Sequence, residues 1–310
     1  MSNKRADVKL QTLYPLVHPR IDVTSAHKYL NDDLTVSLCA IENEAWQPVC
    51  NHELSSLGLN FKQAYECALI NLDRISRDEY SEQTPGVWVS PWGDNLDFSR
   101  MLLLNQLRKL PITGDPVVFL PRKDLLLVTG SQDIQGLGNA LYATFSELTN
   151  EDSFGGTGFP FVLKDNHWHR FELTEPDHPC FETLYELTIL TEFRNYEKQH
   201  HLLSQYCEEK ALPVHISPYQ VAKEEGKTTS FCTVTREVDA LIPEATNMYF
   251  TTLNADTNEL CIKGVVPWEE GLDLLGDMAS RQKGNYPIRY LVNGSEISKF
   301  DQCIRQLEQR

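Results

Sequence analysis

Seven charged residues between Asp94 and Asp133 are the densest polar set in the first half of the chain: Asp94, Asp97, Arg100, Arg122, Lys123, Asp124 and Asp133. They fall mainly in two phrases, WGDNLDFSR and PRKD. If the start of the DFSR segment and the PRKD turn lie at one end of the same sheet, carboxylates and guanidinium groups converge there. Asp97, Arg100, Arg122 and Asp124 would then hold a polar ligand or a partner through charge-assisted hydrogen bonds. The chemistry open to such a set is small-molecule binding or hydrolysis. The same residue types also have architectural uses, and these weigh more: Asp97 as a helix cap, Asp124 as a turn former and Arg122 as a solvated tip.

Other candidates are weaker. In KDNHWHRFEL, His167 and His169 have i, i+2 spacing, so on a strand both imidazoles share one face and Trp168 takes the other. With Asp165 or His178 they would make a metal site, but a surface strand with solvent-facing histidines is the simpler reading. Gly155, Gly156 and Gly158 in SFGGTGFP match neither the P-loop nor the dinucleotide fingerprint and read as a flexible connector, and GLGNAL departs from the fingerprint too. No G-x-S-x-G elbow accompanies Ser131. Glu224 with Glu225 and Glu269 with Glu270 fit solvated faces, and the adjacent His200 and His201 read as exterior residues on a helix. No catalytic residue is assigned and no cofactor is implied.

Lys and Arg number 28 against 44 Asp and Glu, a net charge of −16. That field repels nucleic acid and anionic membrane surfaces, and it favours a basic protein partner or a cationic ligand. The eight cysteines show no C-x-x-C or zinc-finger spacing. Most sit in apolar runs such as VSLCAI, AYECALI and TSFCTV, as buried thiols do in a reducing compartment. The start, MSNKRADVKLQTLYP, lacks the apolar run of a signal peptide, and no stretch approaches the ~20 apolar residues of a membrane span. A cytoplasmic protein is the expectation, with its oligomeric state left open.

The elements that must position these residues follow from periodicity. After a polar entry segment, LTVSLCAI and WQPVC read as a hairpin. Asn60 caps a helix over 61–76 with Phe61, Tyr65, Ala68, Leu69 and Leu72 on one face. Val87 to Ser90 is a short strand. Asp97 is the expected cap of a helix through FSRMLLLNQLRKL, its apolar face formed by Phe98, Met101, Leu102, Leu104 and Leu107. The strands 116–120 and 125–129 form a hairpin across PRKD, a helix covers about 133–148, and Trp168 to Leu173 is the last strand of this half.

TEPDHP, Thr174 to Pro179, marks the expected division into domains 1–174 and 175–310. The second opens on a long helix, 181–210. Four apolar runs follow, PVHIS, TSFCTVT, NMYFTTL and LCIKGVVPW, expected to form an antiparallel sheet. A helix near 269–282, a strand at 288–292 and a helix from Ser295 complete it. Trp268, Tyr249, Phe250, Tyr286 and Tyr290 read as core aromatics, with an exposed binding patch as the alternative. The fold class is therefore α+β, with two domains, each a mostly antiparallel sheet packed with helices.

The order LTVSLCAIENEAWQPV, GLNFKQAYECALINLDRI, WGDNLDFSRMLLLNQL and GDPVVFLPRKDLLLVTGSQD resembles the YtpQ-like group of uncharacterised bacterial proteins. The phrases ALINL (68–72), DFSR (97–100) and PRKD (121–124) carry the likeness, which spans about residues 30–173. The resemblance implies a bacterial cytoplasmic α+β domain and supplies no activity, substrate or catalytic residue. Together these readings lead to a non-enzymatic protein that binds a basic partner through an acidic surface, with the small-molecule-binding or hydrolytic enzyme as the competing expectation.

Overall fold

The computed structural model describes residues 10–20, 25–42, 45–149, 155–224, 226–254, 256–257, 259–284 and 286–309. The first nine residues and Glu225 thus lie outside the described residues. The chain divides into two compact units, Met1–Leu187 and Thr188–Arg310. The division falls inside a long helix, Phe181–Lys210, beyond the TEPDHP segment, because Cys180, Leu184 and Leu187 at its start are packed in the core of the first unit.

Two sheets build the first unit. In one, β1 (Leu13–Pro19) lies along one edge of β3 (Leu34–Glu42), and β2 (His27–Tyr29) and β4 (Ala45–Pro48) share its other edge. The expected β3–β4 hairpin is present. β1 stands where a polar entry segment was expected, since LYPLVHP carries prolines that suit an edge strand, where missing N–H donors do no harm. The helix α2 (Phe61–Ile75), preceded by the short α1 (Asn51–Ser56), starts at Asn60, whose side chain accepts from the Gln63 amide while Gln63 accepts from the Asn60 amide, both at 3.0 Å. Ala64 and Ala68 pack it on Leu13, Leu38 and Ala40.

The second sheet has the order β10-β9-β7-β8-β6-β5, antiparallel throughout. Its strands are β5 (Ser81–Thr84), β6 (Val87–Val89), β7 (Pro116–Arg122), β8 (Leu125–Gly130), β9 (Thr157–Lys164) and β10 (His167–Arg170). Both faces of β7 and β8 are covered, which is why their sequences are continuously apolar instead of alternating. Val117, Phe119 and Leu127 meet Leu137, Ala140 and Leu141 of α4 (Ile134–Thr149). Val118, Leu120, Leu126 and Val128 meet Phe98, Met101 and Leu107, together with Val17, Leu34 and Val36 of the first sheet. Each such fully buried side chain contributes about 1.5–3 kcal/mol over its exposed state.

Three expectations change here. The segment after Asp97 is a 3-10 turn, Phe98–Leu102, followed by the single-turn α3 (Leu104–Leu107), and Asp97 itself has helical backbone angles and caps nothing. The SFGGTGFP stretch is no flexible connector from Thr157 onward, because β9 begins there and pairs with β7. The closing strand spans His167–Arg170 only.

The helix in which the units divide, α5 (Phe181–Lys210), has the extent its periodicity predicts, and the sheets that follow belong to the second unit. The four apolar runs divide between two sheets. PVHIS supplies β11 (His215–Ile216), which joins β14 (Asp239–Pro243), β18 (Arg289–Asn293) and β17 (Ala279–Arg281) in the order β11-β14-β18-β17. The others form β13 (Lys227–Thr235), β15 (Asn247–Leu253) and β16 (Leu260–Pro267) beside β12 (Gln220–Glu224), in the order β12-β13-β15-β16. β13 and β15 run parallel because the chain crosses to the other sheet as β14 between them and re-enters from the same end. The pair β11 and β14 is parallel too, and the remaining pairs are antiparallel.

The helix after β16 is α6 (Trp268–Leu275), shorter than 269–282 because Gly276 adopts φ +51°. The last helix is α7 (Ile297–Glu308). The aromatics are largely core: Phe250 and Trp268 are buried, Phe250 packs on Phe300, and Trp268 meets Tyr290 edge to face at 5.2 Å. The α+β class with mostly antiparallel sheets against helices holds for the molecule.

Candidate functional site

The polar residues between Asp94 and Asp133 do not converge. Arg100 is fully buried, and its Nη1 and Nη2 donate to the two Asp94 carboxylate oxygens at 2.7 Å each. Its Nε donates to Ser76 Oγ at 2.9 Å, and its guanidinium lies 4.1 Å from the Trp92 ring. Asp97, also fully buried, accepts from the Gly93 and Asp94 amides and lies 4.0 Å from Arg100. Burial works against the Asp94 carboxylate, but the Arg100 hydrogen bonds and charge, with the Leu96 amide, hold its pKa below the usual range.

Arg122 belongs to a different group. Its Nε donates to Asp124 at 2.5 Å and its Nη1 to Glu147 at 3.1 and 3.2 Å, on the helix that covers the opposite face of the sheet from the DFSR turn. Asp133 caps α4, accepting from the Gly136 amide at 2.8 Å. Asp94, Asp97, Arg100, Arg122, Asp124 and Asp133 are thus engaged in holding a turn, a helix start or an ion pair.

His167 and His169 are exposed on β10 with Trp168 buried between them, the alternation their spacing predicts. His178 accepts from the Cys180 amide. Among the described residues no group of three or more His, Cys, Asp or Glu side chains is placed to hold a metal ion. All eight cysteines are free, and burial pushes the Cys39 and Cys232 thiols up to about 12, which suppresses thiolate chemistry. His201 is exposed, whereas His200 is half-buried against the Ile216 carbonyl. Among the described residues no helix is long and apolar enough to cross a membrane.

A buried histidine in the first sheet has a measurable consequence. His18 Nδ1 lies 3.0 Å from the Pro19 carbonyl, which can only accept, so Nε2 is left to accept from Ser37 Oγ at 3.2 Å in the neutral ring. Burial lowers the His18 pKa below its ordinary 6.5, against the Pro19 bond, and the nearby Lys123 and His27 lower it further. The unfolded chain therefore binds the proton first, so the neutral-ring contribution is present above pH 6.5 and is lost as pH falls below it. A His18→Gln variant is expected to flatten the pH dependence of the urea midpoint between about pH 7 and 5. An unchanged slope would refute the assignment.

An open polar concavity lies elsewhere, between the β9–β10 turn and the segment before β7. It is a cleft of about 460 Å³ with Leu110, Ile112, Pro116 and Leu163 in its walls and Arg108, Asp115 and Asp165 among its polar groups. Asp165 and Asn166, at φ +49° and +63°, make the two-residue turn in which both residues must be left-handed, a role that Asn and Asp fill readily. Arg108 is anchored by donating to Asn166 Oδ1 at 2.5 Å. Asp115 is fixed through its backbone: its amide donates to Ser131 Oγ at 2.9 Å and its carbonyl accepts from the Ser131 amide at 2.8 Å.

Both carboxylates belong to exposed residues, and among the described residues neither takes part in an ion pair or a side-chain hydrogen bond. Arg108 leaves the lining one negative charge in excess. Such a cleft can pair with a cationic head group while its aliphatic walls cover an alkyl stem. The turn signal DN was legible in the sequence, but the approach of Asp115 to it depends on the β7–β9 pairing and carried no local signal. No family model matches this chain, and neither the curated proteins nor the solved structures contain a match.

Proposed function

We propose that this chain is a non-enzymatic bacterial cytoplasmic protein that binds a basic protein partner, and that the cleft between Arg108 and Asn166 receives a lysine or arginine side chain of that partner. The observation that carries the reading is the placement of two carboxylates unpaired among the described residues, Asp115 and Asp165, beside the aliphatic wall of Leu110, Ile112, Pro116 and Leu163. A lysine or arginine stem is apolar and its head cationic, so one side chain satisfies both parts of the lining. The net charge of −16 would draw a basic partner in and raise its association rate.

The likeness to the YtpQ-like group is part of the same proposal, covering residues 30–173. Its phrases have architectural roles in this fold: Asp97, Phe98, Ser99 and Arg100 are all buried, and Ala68 and Leu72 of ALINL sit in the packed face of α2.

Fluorescence anisotropy with extended peptides of equal length, lysine- and arginine-rich, neutral or acidic, tests the reading. The basic peptides are expected to bind with an affinity that falls as salt is raised, and the others not to bind. Asp115→Asn with Asp165→Asn should weaken binding about two- to thirtyfold, the effect of two solvent-accessible ion pairs at about 0.2–1 kcal/mol each. Equal affinity of the double variant, or no binding of basic peptides at low salt, would overturn the proposal.

A further inference from the structure

In β3, Leu34, Val36, Leu38 and Ala40 face the core, so the residues between them face the other way. That other face is polar where it meets β1 and β2. Thr35 stands opposite His18 of β1 and Tyr29 of β2, and Ser37 stands opposite His27 of β2. Thr35 is nevertheless fully buried, and Ser37 and His18 are buried beside it. Ser37 is bonded to His18, whereas the Thr35 hydroxyl has no hydrogen-bond partner among the described residues. A buried hydroxyl left unmatched costs stability, and this one lies among cationic groups.

The Arg20 guanidinium lies 4.3 Å from the centre of the Tyr29 ring, and Tyr29 meets His27 edge to face at 5.5 Å. Lys123, exposed at the tip of the β7–β8 hairpin, stands close enough to His18 for its charge to disfavour the imidazolium. Among the described residues no ion pair or hydrogen bond engages its ammonium. No Asp or Glu occupies this face of β1, β2 and β3. In a chain of net charge −16, such a face is no by-product of composition. Its rim is open, since Tyr29 is 53 % exposed.

We propose that this face of the first sheet binds a phosphate group, with Thr35 Oγ1 and Lys123 Nζ donating to its oxygens and Arg20 adding charge from the Tyr29 side. A phosphate carries several acceptor oxygens on one compact anion, so it takes donors from separate strands and a hairpin tip at once. The net charge disfavours polyanions such as nucleic acid, so the phosphate belongs to a small molecule, as the free ion or a phosphomonoester. His18, tied to the Pro19 carbonyl and Ser37, serves as floor. The inference goes beyond the basic-partner reading and shares no residue with the cleft.

Isothermal titration calorimetry on the full chain, at fixed ionic strength, tests the site with inorganic phosphate in one arm and glycerol 3-phosphate in the other. Saturable binding is expected in at least one arm, and the tighter ligand identifies the source. Thr35→Val keeps the side-chain shape and removes the hydroxyl, and it should weaken that binding about tenfold, as loss of a buried hydrogen bond to a charged group does. Lys123→Gln, at an exposed position where folding is not at stake, should weaken it about fivefold. Lys198→Gln, exposed on α5, should leave it unchanged. Absence of saturable binding in both arms would overturn the proposal. So would binding that neither Thr35→Val nor Lys123→Gln weakens, or that Lys198→Gln weakens equally. None of these results bears on the basic-peptide reading, which the anisotropy measurement decides separately.

Discussion

Replacing Arg100 with methionine is expected to lower the unfolding free energy of the Met1–Leu187 unit by about 2–3 kcal/mol, less than breaking a fully buried ion pair because the Asp94 side chain is 38 % exposed. Methionine fills nearly the same space, so the loss is electrostatic and not a cavity effect. Arg100 is fully buried, its two terminal nitrogens are committed to Asp94 at 2.7 Å, its Nε to Ser76, and its face to Trp92. Without it, Asp97 remains a fully buried carboxylate supported, among the described residues, by the Gly93 and Asp94 amides. Urea unfolding followed by tryptophan fluorescence gives the comparison.

The pH dependence offers a second readout. Asp94 is held below its usual pKa in the folded chain, so its stabilising contribution is present above the ordinary carboxylate value near 3.8 and lost as pH falls below it. The Arg100→Met variant should lack that acid-sensitive component. A loss below about 1 kcal/mol, with the acid limb unchanged, would mean that the network is a solvated ion pair in effect.

What could be read before folding, and what could not, divides along the range of the interactions. The Asn60 cap, α2, the β7–β8 hairpin and the thirty residues of α5 are local, and spacing alone placed them. β1 and β9 were hidden because proline and glycine mask strands whose existence depends on a partner distant in sequence. The parallel β13–β15 pair was hidden because it needs the excursion through β14.

The same limit governs the site. Arg100 was read as part of a polar binding set and is instead fully buried, as is Arg289 in the second unit, which donates to Gln199 and to the Ser217 and Leu241 carbonyls. Neither position is flanked by any pattern announcing a buried cation. The left-handed Asp165–Asn166 turn was within reach of the sequence, but its proximity to Asp115 and Arg108 is a product of the sheet.

The glycines before β9 show how a residue read as freedom turns out to be constraint. A Cβ on Gly156 would lie 1.8 Å from the Pro121 carbonyl oxygen and 2.3 Å from its carbon, both backbone atoms. The β7–β9 register shifts between Val118 and Leu120, so the chain is folded tightly against Pro121 at this point and the strand that would have to retreat is in the core of the sheet. Gly156→Ala is expected to cost about 3 kcal/mol or more, at the upper end of overpacking effects, and to lower the soluble yield of the chain. Gly155→Ala is the control. Its Cβ would meet only the Lys123 side chain, which can swing away, leaving the penalty of about 1–2 kcal/mol for a side chain at φ +85°. A urea midpoint for Gly156→Ala equal to or above that of Gly155→Ala would show that the Pro121 backbone yields without cost, and that this segment is the loose connector its composition suggests.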